Sequence, residues 1–198
     1  MFKLDVMMKF AILGSGTGTN AKAILEAYAA GNLGNAVPTA IFCDIEGAKI
    51  LSHGATFGVS AKYICPGPFK TKFSPEQEQV YVDEIKASGA EWVVLAGFMR
   101  VLKAPLLDAF PGKIINLHPS ILPSFPGLDG IGQAWRYGVK YSGCTVHYVN
   151  ATVDGGNIID QAIVRRDPTD TLETFEQKIH AAEHQLLPSV IKNLSLAN

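Results

Sequence analysis

A chain of 198 residues suits one domain, or one domain with a small annex. Its 47% hydrophobic and 18% charged residues exclude intrinsic disorder, and 17 basic against 18 acidic residues, a net charge of −1, exclude a nucleic-acid grip through a strongly basic face. No apolar run reaches the roughly 18 residues of a membrane helix, and the opening MFKLDVMMKF, with charges in its apolar stretch and no small-residue cleavage site, is not read as a signal peptide.

The elements alternate along the chain. Met8 to Leu13 is a short apolar strand ending in glycines, and Asn20 to Ala30, rich in Ala, Leu and Glu, is a helix stopped by Gly31. Val37 to Cys43 is a second strand, Glu46 to Phe57 a helix, and Ala61 to Ile64 a third strand followed by the loop CPGPFK. Pro75 to Ser88 is a helix opened by Ser74, with proline at its first position. Trp92 to Ala96 is uncharged and suits a central parallel strand. Ala104 to Phe110 is a helix and Lys113 to Leu117 a strand. This order predicts βαβ units and a parallel sheet. Beyond it, Gly127 to Gly138 includes a short helix, while Cys144 to Asn150 and Gly156 to Arg165 are half-exposed strands around the turn VDGG. Leu172 to Leu194 closes as a helix, capped by Asp170 or Thr171 and kinked at Pro188. A parallel sheet first and an antiparallel extension later is the expectation.

The three cysteines, Cys43, Cys65 and Cys144, are far apart and form no C-x-x-C pair, which points to a reducing cytoplasm. Gly14-Ser15-Gly16-Thr17-Gly18-Thr19-Asn20 joins the first strand to the first helix. Its glycines let backbone N–H groups approach an anion, the helix N-terminus adds partial positive charge, and Ser15, Thr17 and Thr19 offer hydroxyls. No lysine of the phosphate-loop type follows, and G-x-G-x-G departs from the dinucleotide fingerprint, for which Asp44 is only loosely placed as the acidic residue. A tight turn that binds nothing is the alternative.

The second signal runs from Asn116 to Asp154. Asn116 and His118 share a face at the end of an apolar strand, where ligands bind in parallel sheets. Pro119 breaks the strand, and three prolines up to Gly127 make a stiff loop. His147 lies in an alternating strand and Asp154 in a glycine-flanked turn. An amide can donate to an oxyanion, an imidazole can move a proton, and a carboxylate can orient the imidazole. That set suits acyl transfer to an amine without a covalent enzyme intermediate. No G-x-S-x-G elbow is present, and Cys144 reads as a small buried residue. The competing readings are structural histidines, a plain turn aspartate, and a metal held by His118, His147 and Asp154, whose spacing matches no zinc motif.

These residues also carry a resemblance. INLHPSILPSFPG, then GCTVHYVNATVDGGNIIDQ, then EHQLLP, with GSGTGTN and VVLAGFMRVL before them, resemble the phosphoribosylglycinamide formyltransferases of the folate-dependent formyltransferase family, in order and spacing, from about residue 8 to 190. The resemblance implies an α/β fold: a Rossmann-like, mostly parallel twisted sheet flanked by helices, with an antiparallel extension near the C-terminus. It implies one domain over 1–198, with a nucleotide-binding half at 8–117 and a folate-binding and catalytic half at 118–198. It implies transfer of the formyl group of 10-formyltetrahydrofolate to the amine of glycinamide ribonucleotide in purine biosynthesis. Asn116, His118 and Asp154 match the catalytic trio, and His147 a supporting histidine. Gly18, Thr19 and Asn20 match the phosphate-binding loop, and Glu183 the carboxylate that holds the ribose hydroxyls. Met99, Arg100, Val101, Leu102, Ile114 and the turn from Asn150 to Asp154 match the pterin pocket. No metal, nucleic acid or membrane is implied. Small-molecule substrates, a cytoplasmic location and a monomer or homodimer are.

Some positions depart from the family pattern. Thr19 replaces a serine, the stretch KTKFSPEQE lacks an arginine near the folate tail that Lys70 or Lys72 could replace, and DGIGQAW follows PGL. GNII replaces GPII, and His180 stands where a lysine or glutamine often contacts the phosphate. Relatives with other activities differ more. Formyltetrahydrofolate deformylase usually has a second histidine after the motif histidine, where Pro119 stands here, and methionyl-tRNA formyltransferase adds a tRNA-binding domain. An enzyme formylating another amine, such as an amino-sugar nucleotide, a formyltetrahydrofolate hydrolase, and a non-catalytic binding module are the alternatives.

Overall fold

The computed structural model describes residues 7–197. Most of the opening stretch read above against a signal peptide lies outside the described residues. The elements are β1 Met8–Gly14, α1 Thr19–Ala29, β2 Ala36–Cys43, a 3-10 turn Lys49–Leu51 leading into α2 Ser52–Phe57, β3 Ser60–Tyr63, α3 Pro75–Ala87, β4 Trp92–Leu95, α4 Ala104–Ala109, β5 Ile114–His118, α5 Gly130–Tyr137, β6 Tyr141–Tyr148, β7 Ile158–Arg165 and α6 Leu172–Ala197. One seven-stranded sheet has the order β3-β2-β1-β4-β5-β6-β7. Pairings from β3 through β5 are parallel, and β6 and β7 are antiparallel to their neighbours. The expected parallel sheet with an antiparallel extension is the observed one.

Alternation along β1 divides the core. Phe10 and Ile12 join Ile24 of α1 and Phe175 and Leu187 of α6 on one face, while Ala11 and Leu13 join Tyr81 and Ile85 of α3 and Leu106 of α4 on the other. A strand buried on both faces reads as a continuous apolar run, and here the glycines that follow mark its end. The strand order reverses at β1, which has β2 on one side and β4 on the other. The crevice beyond the carboxyl ends of such strands is where ligands bind in open α/β sheets.

Four expectations shift. The helix expected over Glu46 to Phe57 is confined to the turn from Lys49 and to α2. The strand expected from Cys144 starts at Tyr141 and is largely buried rather than half-exposed, while β7, at the sheet edge, is the half-exposed one. Two contacts explain the burial of β6. Cys144 and Val146 pack in the core with α6, and Thr145 Oγ1 ties the proline loop down by donating to Ser120 O at 2.6 Å and accepting from Leu122 N at 3.1 Å. The closing helix continues through Pro188 to Ala197, the proline removing only the N–H that would reach the His184 carbonyl. Of the two cap candidates, Thr171 takes a backbone N–H, that of Thr174, at 3.2 Å.

Candidate active site

β5 and β6 pair so that Asn116 stands directly opposite His147. Cross-strand partners lie within side-chain reach, and Asn116 Nδ2 is 3.2 Å from His147 Nε2. The other nitrogen of His147, Nδ1, lies 2.8 Å from the Tyr148 carbonyl and can only donate to it. Nε2 thus faces both the Asn116 amide and, at 3.6 Å, Asp154 Oδ1. This orients the amide and leaves an N–H for another acceptor.

His118, two residues on and on the same face, has Nδ1 3.2 Å from Asp154 Oδ2 and Nε2 2.8 Å from the Phe125 carbonyl. Both nitrogens face oxygens, and only the imidazolium satisfies both with donors. The side chains of His118 and Asp154 are 5% and 9% exposed, so solvent screens the pair little. Asp154 Oδ2 also accepts from Gly127 N at 2.7 Å. Burial alone would raise the Asp154 carboxyl pKa, but the His147 ring, the Gly127 N–H and the His118 charge outweigh it and hold the carboxyl below its usual range.

The Asp154 turn is built tightly. Asp154 has φ 52°, a left-handed conformation that aspartate tolerates better than most residues. Asn150 Oδ1 accepts from Thr152 N at 2.9 Å and its Nδ2 donates to Gly155 O at 3.2 Å, closing the turn on itself. At Gly156 a Cβ would fall 1.7 Å from the Tyr148 carbonyl oxygen, so no larger residue fits there.

Asn116, His118, His147 and Asp154 line a cavity of about 390 Å³ together with a wall that runs from Gly97 to Leu102. Asn150 lines it too. Met99 is exposed beside it, and Val101 and Leu102 supply aliphatic surface. Arg100 belongs to the wall, but its guanidinium is occupied in an ion pair with Asp44. Ile114 is not among the cavity residues: it is buried in the core with Leu102 and Leu106, and its carbonyl accepts from Val149 N at 2.9 Å. The cavity draws on both sides of the division at 117/118.

The glycine loop adjoins this wall. Ser15 N donates to Gly97 O at 3.0 Å, and Ser15 Oγ accepts from Met99 N at 2.9 Å, so this hydroxyl, read above as a donor to an anion, also accepts a backbone N–H in joining the two loops and keeps its own O–H. The Gly16 carbonyl accepts from Ile50 N at 3.1 Å, and the Thr17 carbonyl faces His53 Nε2 at 3.1 Å. Gly18 caps α1 with φ 74°, and a Cβ there would press on Ile50 at 2.6 Å, so two constraints demand glycine. No side chain caps α1, which leaves its first-turn N–H groups for an anion. Across from them, Glu183 Oε2 accepts from Asn20 Nδ2 at 3.0 Å and from His180 Nδ1 at 2.8 Å. Gly18, Thr19, Asn20 and Glu183 thus gather at a second place, next to the cavity wall.

Cys144 is buried and its thiol is pushed up to about 12, chiefly by desolvation, which is no setting for a nucleophile. Among the described residues no group of three or more His, Cys, Asp and Glu side chains is arranged to hold a metal ion. No described helix is long and apolar enough to cross a membrane. Two contributors escaped the sequence reading: the Phe125 carbonyl and the Gly127 N–H, which act through backbone and leave no residue-type signal. Asp44 was judged only as a ribose ligand, yet an acid ending an apolar strand and an arginine just past the next-but-one strand can pair.

The family model for formyl transferases matches residues 8–191 of the chain. The chain is 43% identical over 188 residues to the phosphoribosylglycinamide formyltransferase of Bacillus subtilis (strain 168), covering 95% of each. It superposes on glycinamide ribonucleotide transformylase 1 from Symbiobacterium toebii with a TM-score of 0.90 at 38% identity, covering 96% of this chain and 89% of that one. For the phosphoribosylglycinamide formyltransferase of Bacillus halodurans the TM-score is 0.88 at 40% identity, with 94% of each covered.

Proposed function

The chain belongs to the formyl transferase family, and we propose that within it the protein moves the formyl group of 10-formyltetrahydrofolate onto the amine of glycinamide ribonucleotide, a step of purine biosynthesis, in the cytoplasm. The observation that carries this reading is the meeting of Asn116, His118 and Asp154 in the lining of a largely apolar cavity beside an uncapped helix N-terminus. The cavity takes the flat heteroaromatic pterin of the donor, apolar on its faces and polar along its edge, along Met99 to Leu102 and by Asn150. The first-turn N–H groups of α1 at Gly18, Thr19 and Asn20 take the phosphate of the acceptor, and Glu183 its ribose hydroxyls.

In the reaction the neutral amine nitrogen bonds to the formyl carbon and the carbonyl electron pair moves onto oxygen. Collapse breaks the bond from that carbon to N10 of the folate, and the proton lost by the amine ends on N10. One C–N bond forms and one breaks, with no oxidant or reductant. The free N–H of the Asn116 amide donates to the oxyanion, and His118, held by Asp154, shares its Nε2–H between the Phe125 carbonyl and the same oxygen. Asp154 with a water relays the proton. The amine must be unprotonated to attack, so the rate rises through neutral pH.

A competition assay tests the acceptor. With glycinamide ribonucleotide, an amino-sugar nucleotide and water all present, formyl transfer to the first is expected at a kcat/KM about 10² or more above the second, with little free formate. Faster formylation of the amino sugar, or formate release without an amine, overturns the assignment.

His180 adds a pH signature. Its hydrogen bond to Glu183 raises its pKa and outweighs its burial. The sign follows: the cation persists below the raised value and is lost as pH climbs through it. KM for glycinamide ribonucleotide is expected to rise severalfold over that interval, and His180→Gln to flatten the rise. A parallel KM–pH profile in the variant contradicts a phosphate contact from His180.

A further inference from the structure

We propose that Asp44 and Arg100 are positioning residues for the formyl donor, their buried ion pair holding the cavity wall from Gly97 to Leu102 in its binding shape. The inference rests on reading that cavity as the donor site.

Arg100 Nε donates to Asp44 Oδ2 at 2.6 Å, with side chains 8% and 4% exposed. Its Nη1 donates to Phe69 O at 2.5 Å and Lys72 O at 3.2 Å, and the guanidinium lies 5.5 Å from the centre of the Phe73 ring. One planar group therefore ties together three segments: the end of β2, the loop before α3, and the wall itself. The same loop meets the wall again where Val101 N donates to Thr71 O at 2.9 Å, and Thr71 lines the cavity. On either side, Met99 N is held by Ser15 Oγ and Lys103 N by the buried carboxylate of Glu78 at 2.6 Å. The backbone from 99 to 103 is thus anchored at alternate residues. Of these anchors only the guanidinium reaches three segments.

The chemistry suits arginine alone. A lysine ammonium is a point charge and cannot present a rigid fork to a carboxylate and two carbonyls in separate segments. Removing one partner leaves the other charge buried and uncompensated, so the segments separate to let water in. The wall then moves without the loss of any residue that touches the reacting atoms.

The test uses the full chain, kinetics with both substrates, calorimetric titration with 5-formyltetrahydrofolate, and the thermal midpoint. Asp44→Asn and Arg100→Lys are each expected to raise KM for the formyl donor and weaken 5-formyltetrahydrofolate binding about tenfold, with kcat within about threefold of wild type. The double variant is expected to cost little more than either single one, because both break the same contact. Asp44→Glu, which keeps the charge, is expected to restore binding to within about threefold. A lowered thermal midpoint with unchanged donor KM and unchanged titration shows a merely structural pair and overturns the proposal. Loss of kcat at unchanged KM overturns it too. A wild-type chain that does not bind 5-formyltetrahydrofolate overturns the reading of the cavity, and this inference with it.

Discussion

Asp154→Asn is expected to lower kcat about 10³-fold while moving the thermal midpoint by only a few degrees. The substitution keeps one oxygen for the Gly127 N–H, keeps the volume, and keeps a residue that tolerates the left-handed backbone at φ 52°. What it removes is the negative charge beside His118 Nδ1, and with it the carboxylate that orients that ring. Steady-state kinetics beside thermal melts check this. Near-normal turnover in a folded variant removes Asp154 from the mechanism. The pH dependence has a definite sign as well. The folded carboxyl sits below its unfolded value, so its contribution to stability is fully present above about pH 4 and is lost as pH falls through the lower, folded value. The stability gap between wild type and Asp154→Asn is therefore expected to close on acidification below that point, and a gap that widens instead contradicts the lowered carboxyl.

His118→Ala and Asn116→Ala are each expected to lower kcat about 10²- to 10³-fold, the usual effect of losing one donor to an oxyanion. The two side chains share a strand face and aim at one atom, so the double variant is expected to fall well short of the product of the single losses. Single-turnover rates at saturating donor and acceptor separate this from weakened binding. Full multiplication of the two effects shows that the groups act on different atoms and dissolves the shared oxyanion site.

The strands and their faces were legible in the sequence because burial on both sides leaves an unbroken apolar run, as in Trp92 to Leu95. The pairing of Asn116 with His118 on one face followed from the two-residue repeat of a strand. Their meeting with Asp154 was an expectation that a plain turn aspartate rivalled, since no local rule sets the register of β5 on β6. That register is what puts His147, and not a neighbour, opposite Asn116. Backbone contributors such as the Phe125 carbonyl were invisible because every residue carries one. The ion pair of Arg100 with Asp44 was not legible because the two lie 56 positions apart and are brought close only by the order β2-β1-β4. The half-exposed reading of β6 failed for a similar reason: alternation in a strand cannot reveal that a proline loop will lie across its second face.

The proposed catalytic residues lie on β5 and the turn between β6 and β7, whereas the proposed acceptor site, the glycine loop with Glu183, belongs to the β1–α1 junction and to α6. Mutations that retune which recipient docks can therefore accumulate in one pair of elements while the other pair is left intact. A scaffold divided in this way lets a lineage change clients without reinventing its reaction, and a designer seeking new recipients would randomise positions around Asn20 and His180 before touching Asn116, His118 or Asp154.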